Sequence, residues 1–110
     1  MKIYHNPRCS KSRNTLALIE KHKPEVIEYL KTPPSERELR EIISLLKIKP
    51  EELVRKGEEL YKEKYKGRKL SDDQWIKAMV QNPVLIERPI VINGKKAVIG
   101  RPPEKVLQII

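Results

Sequence analysis

The chain has 110 residues, with a single cysteine, two histidines and no phenylalanine. One cysteine, Cys9, excludes an internal disulfide and agrees with a reducing compartment, so the expected location is the cytoplasm. One Cys and two His at no ligand spacing leave no zinc pattern, and no metal is expected. No apolar run approaches the roughly 20 residues that cross a bilayer. The first residues also lack the apolar stretch of a secretory signal, so no membrane association is expected. Internal repeats and low-complexity segments are absent as well.

Charge is plentiful. Lys and Arg number 24 against 15 Asp and Glu, for a net charge of +9. Part of the excess lies in Lys62, Lys64, Lys66, Arg68 and Lys69. No helix-turn-helix, zinc-finger spacing or aromatic-interleaved basic strand accompanies them, so they read as a solvated loop. Nucleic acid is not the expected partner. Length and composition fit one soluble domain over 1–110 with a modest core.

Cys9 sits in His5-Asn6-Pro7-Arg8-Cys9-Ser10-Lys11-Ser12-Arg13. A short apolar strand, Lys2 to His5, precedes it, and a helical segment from Ser12 to Lys21 follows. A cysteine where a strand gives way to a helix meets unpaired backbone N–H groups and the positive end of the helix dipole. Both favour the thiolate, which is the reactive form. Arg8, Lys11 and Arg13 add positive charge. A buried, inert cysteine belongs in an apolar run, and this one lies among Pro, Arg, Ser and Lys.

Glu25 to Leu30 reads as a second strand, parallel to the first across the helix. Thr32-Pro33-Pro34 stops it. Ser35-Glu36-Arg37-Glu38 is a capping box opening a helix with Leu39, Ile42, Ile43 and Leu46 on one face. Pro50-Glu51-Glu52 opens a shorter helix that Gly57 can close. Residues 58–70 are polar and basic, with Leu60, Tyr61 and Tyr65 as anchors. Ser71-Asp72-Asp73-Gln74 is a second capping box, leading to Trp75, Ala78 and Met79. Pro89 to Ile99 reads as a hairpin turning at Asn93-Gly94 in a type I′ turn. A last helix carries Val106, Leu107 and Ile110.

Setting aside the helical insertion at roughly 35–82 leaves βαβ followed by ββα. That is the thioredoxin-like arrangement: an α/β fold with a four-stranded mixed sheet flanked by helices. By analogy with that fold, Pro89 at the start of the third strand is expected to be a cis-proline beside the cysteine.

Over almost its whole length the chain resembles the glutaredoxin-dependent arsenate reductases and their relatives, the ArsC-like family. The resemblance rests on His5-Asn6-Pro-x-Cys9 followed by Ser12-Arg13 and on Pro33-Pro34-Ser35. It also rests on Leu53-Val54-Arg55-Lys56, Arg88-Pro89-Ile90 and Arg101-Pro102. It implies that Cys9 is the nucleophile that attacks arsenate, that glutathione joins the arsenic–sulfur adduct, and that glutaredoxin helps release arsenite. No bound cofactor is implied, only glutathione as co-substrate. Arg55, Arg88 and Arg101 would bind the oxyanion. His5 would help keep Cys9 ionised, and Ser12 would hydrogen-bond the sulfur. Arg88 and Arg101 each flank a proline at a strand end, and a guanidinium matches two oxygens of a tetrahedral anion at once. Arg55 rests on the resemblance. Ser10-Lys11 departs from the small neutral residues that characterised reductases carry after the cysteine, and longer members continue beyond the position of Ile110.

Two other functions fit the same residues. A monothiol oxidoreductase acting on glutathionylated proteins would also need an external thiol, because Ser12 stands where a dithiol enzyme has its second cysteine. A regulator that binds RNA polymerase is the other. The C-x-x-C redox switch typical of that branch is excluded by Ser12, which leaves a non-redox regulator.

Overall fold

In the computed structural model, which describes residues 1–110, the chain divides into two compact units. One comprises Met1–Thr32 and Arg88–Ile110, the other Pro33–Glu87. No helix is long and apolar enough to cross a membrane.

The first unit holds a four-stranded sheet in the order β2-β1-β3-β4, formed by β1 (Lys2–His5), β2 (Glu25–Glu28), β3 (Ile90–Asn93) and β4 (Lys96–Ile99). Strands β1 and β2 are parallel, and β3 is antiparallel to both β1 and β4. This is the mixed thioredoxin-like sheet that the order of elements implies. Helix α1 (Ser10–Ile19) connects β1 to β2. Ile3, Ile19, Val91, Val106 and Ile109 make the buried core of this unit, with Met1, Leu16, Leu18 and Val98 packed against it. Alternation along β1 and β3 sends Ile3 and Val91 to this core, and their Cα atoms are paired across the sheet.

Two local expectations shift. The hairpin pairs Asn93 with Lys96, so the two turn residues are Gly94 and Lys95. Gly94 has φ of +63°, and Lys95 has no positive φ. A two-residue loop with positive φ only at its first position, filled by Gly, fits a type II′ turn rather than I′. Asn93 is thereby left in the strand, where its side-chain Nδ2 donates to the Ile109 carbonyl at 2.6 Å. The final helix is 3₁₀, Pro103–Gln108. Val106 and Ile109 are buried there, while Leu107 and Ile110 are exposed.

The second unit contains α2 (Glu36–Leu46), α3 (Glu59–Lys64) and α4 (Asp72–Gln81). Both capping boxes form: Ser35 with Glu38, and Ser71 with Gln74. Each satisfies two otherwise unpaired N–H groups at a helix start. Leu39, Ile42 and Ile43 are buried on α2, and Trp75, Ile76, Ala78 and Met79 on α4. Tyr61 and Tyr65 lie 6.3 and 5.9 Å from the Trp75 ring, so the basic segment is anchored by its aromatics. The expected helix from Pro50 to Gly57 stops after one 3₁₀ turn, Pro50–Leu53. The Arg55 N–H donates to the Leu85 carbonyl at 2.7 Å and the Glu87 N–H to the Leu53 carbonyl at 2.8 Å. This extended pairing, with the bridge Val54–Ile86, takes the backbone groups that a longer helix would have used.

Candidate active site

Cys9 is the N-cap residue of α1, with extended backbone angles and no side-chain cap bond. Helix α1 therefore starts at Ser10, two residues before the expected Ser12. The Asn6-Pro7-Arg8 turn delivers the cysteine: the Cys9 N–H donates to the Asn6 carbonyl at 3.0 Å, and the Arg8 N–H to Asn6 Oδ1 at 3.0 Å. Arg13 Nη1 donates to the Pro7 carbonyl at 2.9 Å and closes the turn from the helix side. No acidic residue lies in the first turn of α1, so its positive end is not neutralised by its own side chains.

Partial burial pushes the Cys9 thiol up. The backbone N–H of Ser12, the charge of Arg88, the backbone N–H of Lys11 and the charge of Arg101 all act the other way, and the net effect is a thiol more acidic than usual. The sulfur occupies the place that a capping oxygen fills in an ordinary helix. Arg101 Nη2 lies 3.7 Å from Cys9 Sγ. Arg101 Nε donates to the Arg88 carbonyl at 2.8 Å, so the guanidinium is oriented by the backbone of the other arginine. The Arg88–Pro89 bond is cis, and so is Arg101–Pro102. Arg88 is buried.

His5 and Ser12 pair with each other where the Cys9 turn meets helix α1. His5 is buried, and that desolvation is the main cause of a lowered pKa; Glu28 opposes it and Arg13 adds to it. Burial thus disfavours the protonated ring that the expected role of His5 uses. Its Nδ1 lies 2.7 Å from Ser12 Oγ, with the tautomer deciding which of the two donates. Ser12 Oγ also accepts the Asn6 N–H at 3.0 Å. The Ser12 hydroxyl thus ties the end of β1 to α1, and Ser12 assists the sulfur through its backbone N–H.

Arg55 belongs to the second unit, where it forms an ion pair with Glu58 at 3.0 Å and is fixed by the Leu85 carbonyl. Ser10 and Lys11 are exposed on the first turn of α1.

Sequence reasoning missed Gly100 and Thr15. A Cβ at Gly100 would lie 2.5 Å from Thr15 Oγ1 and 2.9 Å from Pro89 Cγ. Thr15 is fully buried, and its Oγ1 donates to the Lys11 carbonyl at 2.8 Å. The Gly100 N–H donates to the Pro89 carbonyl at 2.9 Å. Gly100 therefore lets the residue preceding Arg101 approach α1 and Pro89 closely. Gly100→Ala is expected to cost about 1–3 kcal/mol by overpacking, measured by urea unfolding. In a Thr15→Ala background the same substitution should cost less, because the nearest atoms are gone.

A second expectation follows from the charges around the sulfur. Alkylation of Cys9 by iodoacetamide should show a pH midpoint below the value of about 8.5 for a free thiol. Arg101→Leu should move that midpoint upward. A wild-type midpoint at the ordinary value would remove the case for an activated thiolate.

A thiol of lowered pKa at a helix start, with the charges of two arginines from the strand ends of a thioredoxin-like sheet acting on it, suits single-cysteine redox or oxyanion chemistry. The chain belongs to the ArsC family, whose profile matches residues 4–109. It is 51% identical over 114 residues to the uncharacterised protein YfgD of Escherichia coli (strain K12), covering 100% of this chain and 96% of that protein. It is 48% identical to an arsenate reductase of Haemophilus influenzae, covering 98% of this chain and 97% of the relative. The solved structure of an arsenate reductase from Vibrio cholerae superposes with a TM-score of 0.93 at 50% identity, covering 99% and 96% of the two chains.

Proposed function

We propose that this chain is an arsenate reductase that draws its electrons from glutathione with glutaredoxin. The observation that carries the reading is the approach of Arg101 Nη2 to Cys9 Sγ at 3.7 Å, beside a thiol whose acidity is raised. The names of the close relatives support arsenate as the substrate.

The chemistry divides among the residues as follows. The first-turn N–H groups and the two arginines hold Cys9 as thiolate and draw a tetrahedral oxyanion toward it. Arg101, already oriented by the Arg88 carbonyl, grips oxygens of the anion in a planar fork. Exposed Lys11 strengthens the attracting field. The thiolate attacks arsenic, and one oxygen leaves as water. The full balance is dihydrogen arsenate plus two thiols giving dihydrogen arsenite, a disulfide and water. Arsenic gains two electrons, and the two sulfurs lose them. Cys9 supplies one sulfur. The chain has no other cysteine, so the second thiol comes from solution.

A coupled assay tests this: arsenite formation with glutathione and glutaredoxin, against the same assay with thioredoxin and its reductase alone. Turnover should require the first pair, because no protein disulfide is presented to thioredoxin. Equal turnover with thioredoxin alone would refute the reductant assignment. Release of glutathione from a glutathionylated protein, with no arsenite formed, would transfer the function to protein-thiol chemistry.

A further inference from the structure

Thr15 is a polar side chain to which the chemistry above gives no task, and it is fully buried on α1, the helix that Cys9 caps. Its Oγ1 donates to the Lys11 carbonyl at 2.8 Å and lies 3.5 Å from the Gly100 carbonyl oxygen. The shorter bond takes the single hydroxyl proton and fixes the side-chain rotamer. Both outer atoms of the side chain then meet Gly100: a Cβ there would lie 2.5 Å from Thr15 Oγ1 and 3.0 Å from Thr15 Cγ2. Pro89 closes the remaining space. Its carbonyl accepts the Gly100 N–H at 2.9 Å, and the same Cβ would lie 2.9 Å from Pro89 Cγ. Gly100 is thus held between α1 and Pro89 with no room for one more carbon.

Both sides of this contact run directly into the site. The Thr15 bond to Lys11 reaches back to the first turn of α1, where the Arg13 N–H donates to the Cys9 carbonyl at 3.0 Å. From Gly100 the chain passes at once to Arg101, whose Nη2 lies 3.7 Å from Cys9 Sγ and whose Nε donates to the Arg88 carbonyl at 2.8 Å. The sulfur therefore moves with α1 and the guanidinium with Gly100, and Thr15 is where the two meet. We propose that Thr15 is a positioning residue: packed against Gly100, it sets the separation of Arg101 from Cys9. The proposal rests on the reading of that pair as the oxyanion site. Close-packed side chains transmit displacement rather than absorb it. A shift of about 1 Å at a reacting centre can cost on the order of a hundredfold in rate. Gly100→Ala adds an atom where none fits, so the strand end must part from α1 or from Pro89. Thr15→Ala removes both atoms that meet Gly100 and leaves a gap. In the double variant the methyl added at position 100 enters the space that the Thr15 side chain has left.

The test compares wild type with Gly100→Ala, Thr15→Ala, Thr15→Ser and the Thr15→Ala/Gly100→Ala double variant. Three quantities are measured on the whole protein: the pH midpoint of Cys9 alkylation by iodoacetamide, KM and kcat for arsenate, and the thermal melt. Gly100→Ala is expected to raise the midpoint and to raise KM for arsenate about tenfold, with kcat changed less. Thr15→Ala should move both in the same direction by less. Thr15→Ser keeps the hydroxyl and its bond to Lys11, so it should stay close to wild type. The double variant should recover most of the midpoint and of KM. A contact that only packs would lower the melt and leave midpoint and KM at their wild-type values, and that result in the two single alanine variants overturns the proposal. A double variant that regains its melt but neither midpoint nor KM overturns it as well. Should Gly100→Ala fail to fold, Thr15→Ala against Thr15→Ser decides: equal midpoints and equal KM sink the positioning role. Alkylation needs no turnover, so two results separate this inference from the functional reading. Midpoints that follow the substitutions as expected in a protein that forms no arsenite keep the positioning role and refute the reductase. Arsenite formed with wild-type midpoint and KM in every variant keeps the reductase and refutes the positioning role.

Discussion

Cys9→Ser is expected to abolish arsenate reduction while leaving the fold in place. The chain has no other cysteine to take over, and a serine hydroxyl is not ionised at neutral pH. Loss of the attacking group removes a whole step, so the fall in turnover should be on the order of a thousandfold or more. Stability should change little. Cys9 sits at the N-cap of α1, and serine is a favoured N-cap residue whose oxygen accepts first-turn N–H groups. Arsenite release and a thermal melt, run on the same preparation, separate the two effects. Activity within about tenfold of wild type would mean that the nucleophile is not a protein thiol at all.

Loss of the oriented arginine should be the next largest effect. Arg101→Leu removes the guanidinium at 3.7 Å from Sγ together with its bond to the Arg88 carbonyl. Removing one preorganised charged donor from a site of developing charge costs on the order of a hundredfold in kcat/KM for the anion. Most of that loss should appear with arsenate and much less in alkylation by a neutral reagent, which needs the thiolate but no oxyanion clamp. Arg101→Lys should recover only part. Lysine keeps the charge, but it lacks the planar fork that reaches an anion and the Arg88 carbonyl together. Arg88→Leu should also weaken anion binding. Because Arg88 is buried, its replacement will disturb stability too, so Arg101 gives the clearer result. Equal losses with arsenate and with the neutral reagent would mean that Arg101 serves the thiolate and not the oxyanion.

Much of both units is legible in the chain because its signals are local. Lys2–His5 is a short strand with Ile3, Tyr4 and His5 all buried, Pro33-Pro34 ends the βαβ segment, and the two capping boxes mark the starts of α2 and α4. The helix start at Cys9 is legible to within two residues. The difference arises because the cysteine itself takes the cap position and frees Ser12 for Asn6 and His5. The hairpin is legible but its turn is displaced by one residue, because cross-strand register and the Asn93 bond to Ile109 outweigh the local preference of Asn-Gly. Features set by distant parts of the chain are not legible. The lowered pKa of His5 follows from burial, and the short 3₁₀ turn at Pro50 from pairing with Leu85 and Glu87. Gly100 is needed for its contacts with Thr15 and Pro89. The nearness of Arg101 to Cys9 joins residues 92 positions apart. Only the resemblance marks those two together in the sequence, and it carries Arg55 entirely.

The central claim is that Cys9 captures the oxyanion and is then resolved by an outside thiol. Intact-mass and peptide mass spectrometry of the protein after incubation with arsenate and glutathione, with glutaredoxin left out, tests it most directly. An arsenic–sulfur or mixed glutathione adduct is expected on Cys9, one that requires arsenate and disappears when glutaredoxin is added, as arsenite is released. An unmodified Cys9 thiol and no arsenite at any glutathione concentration would contradict it.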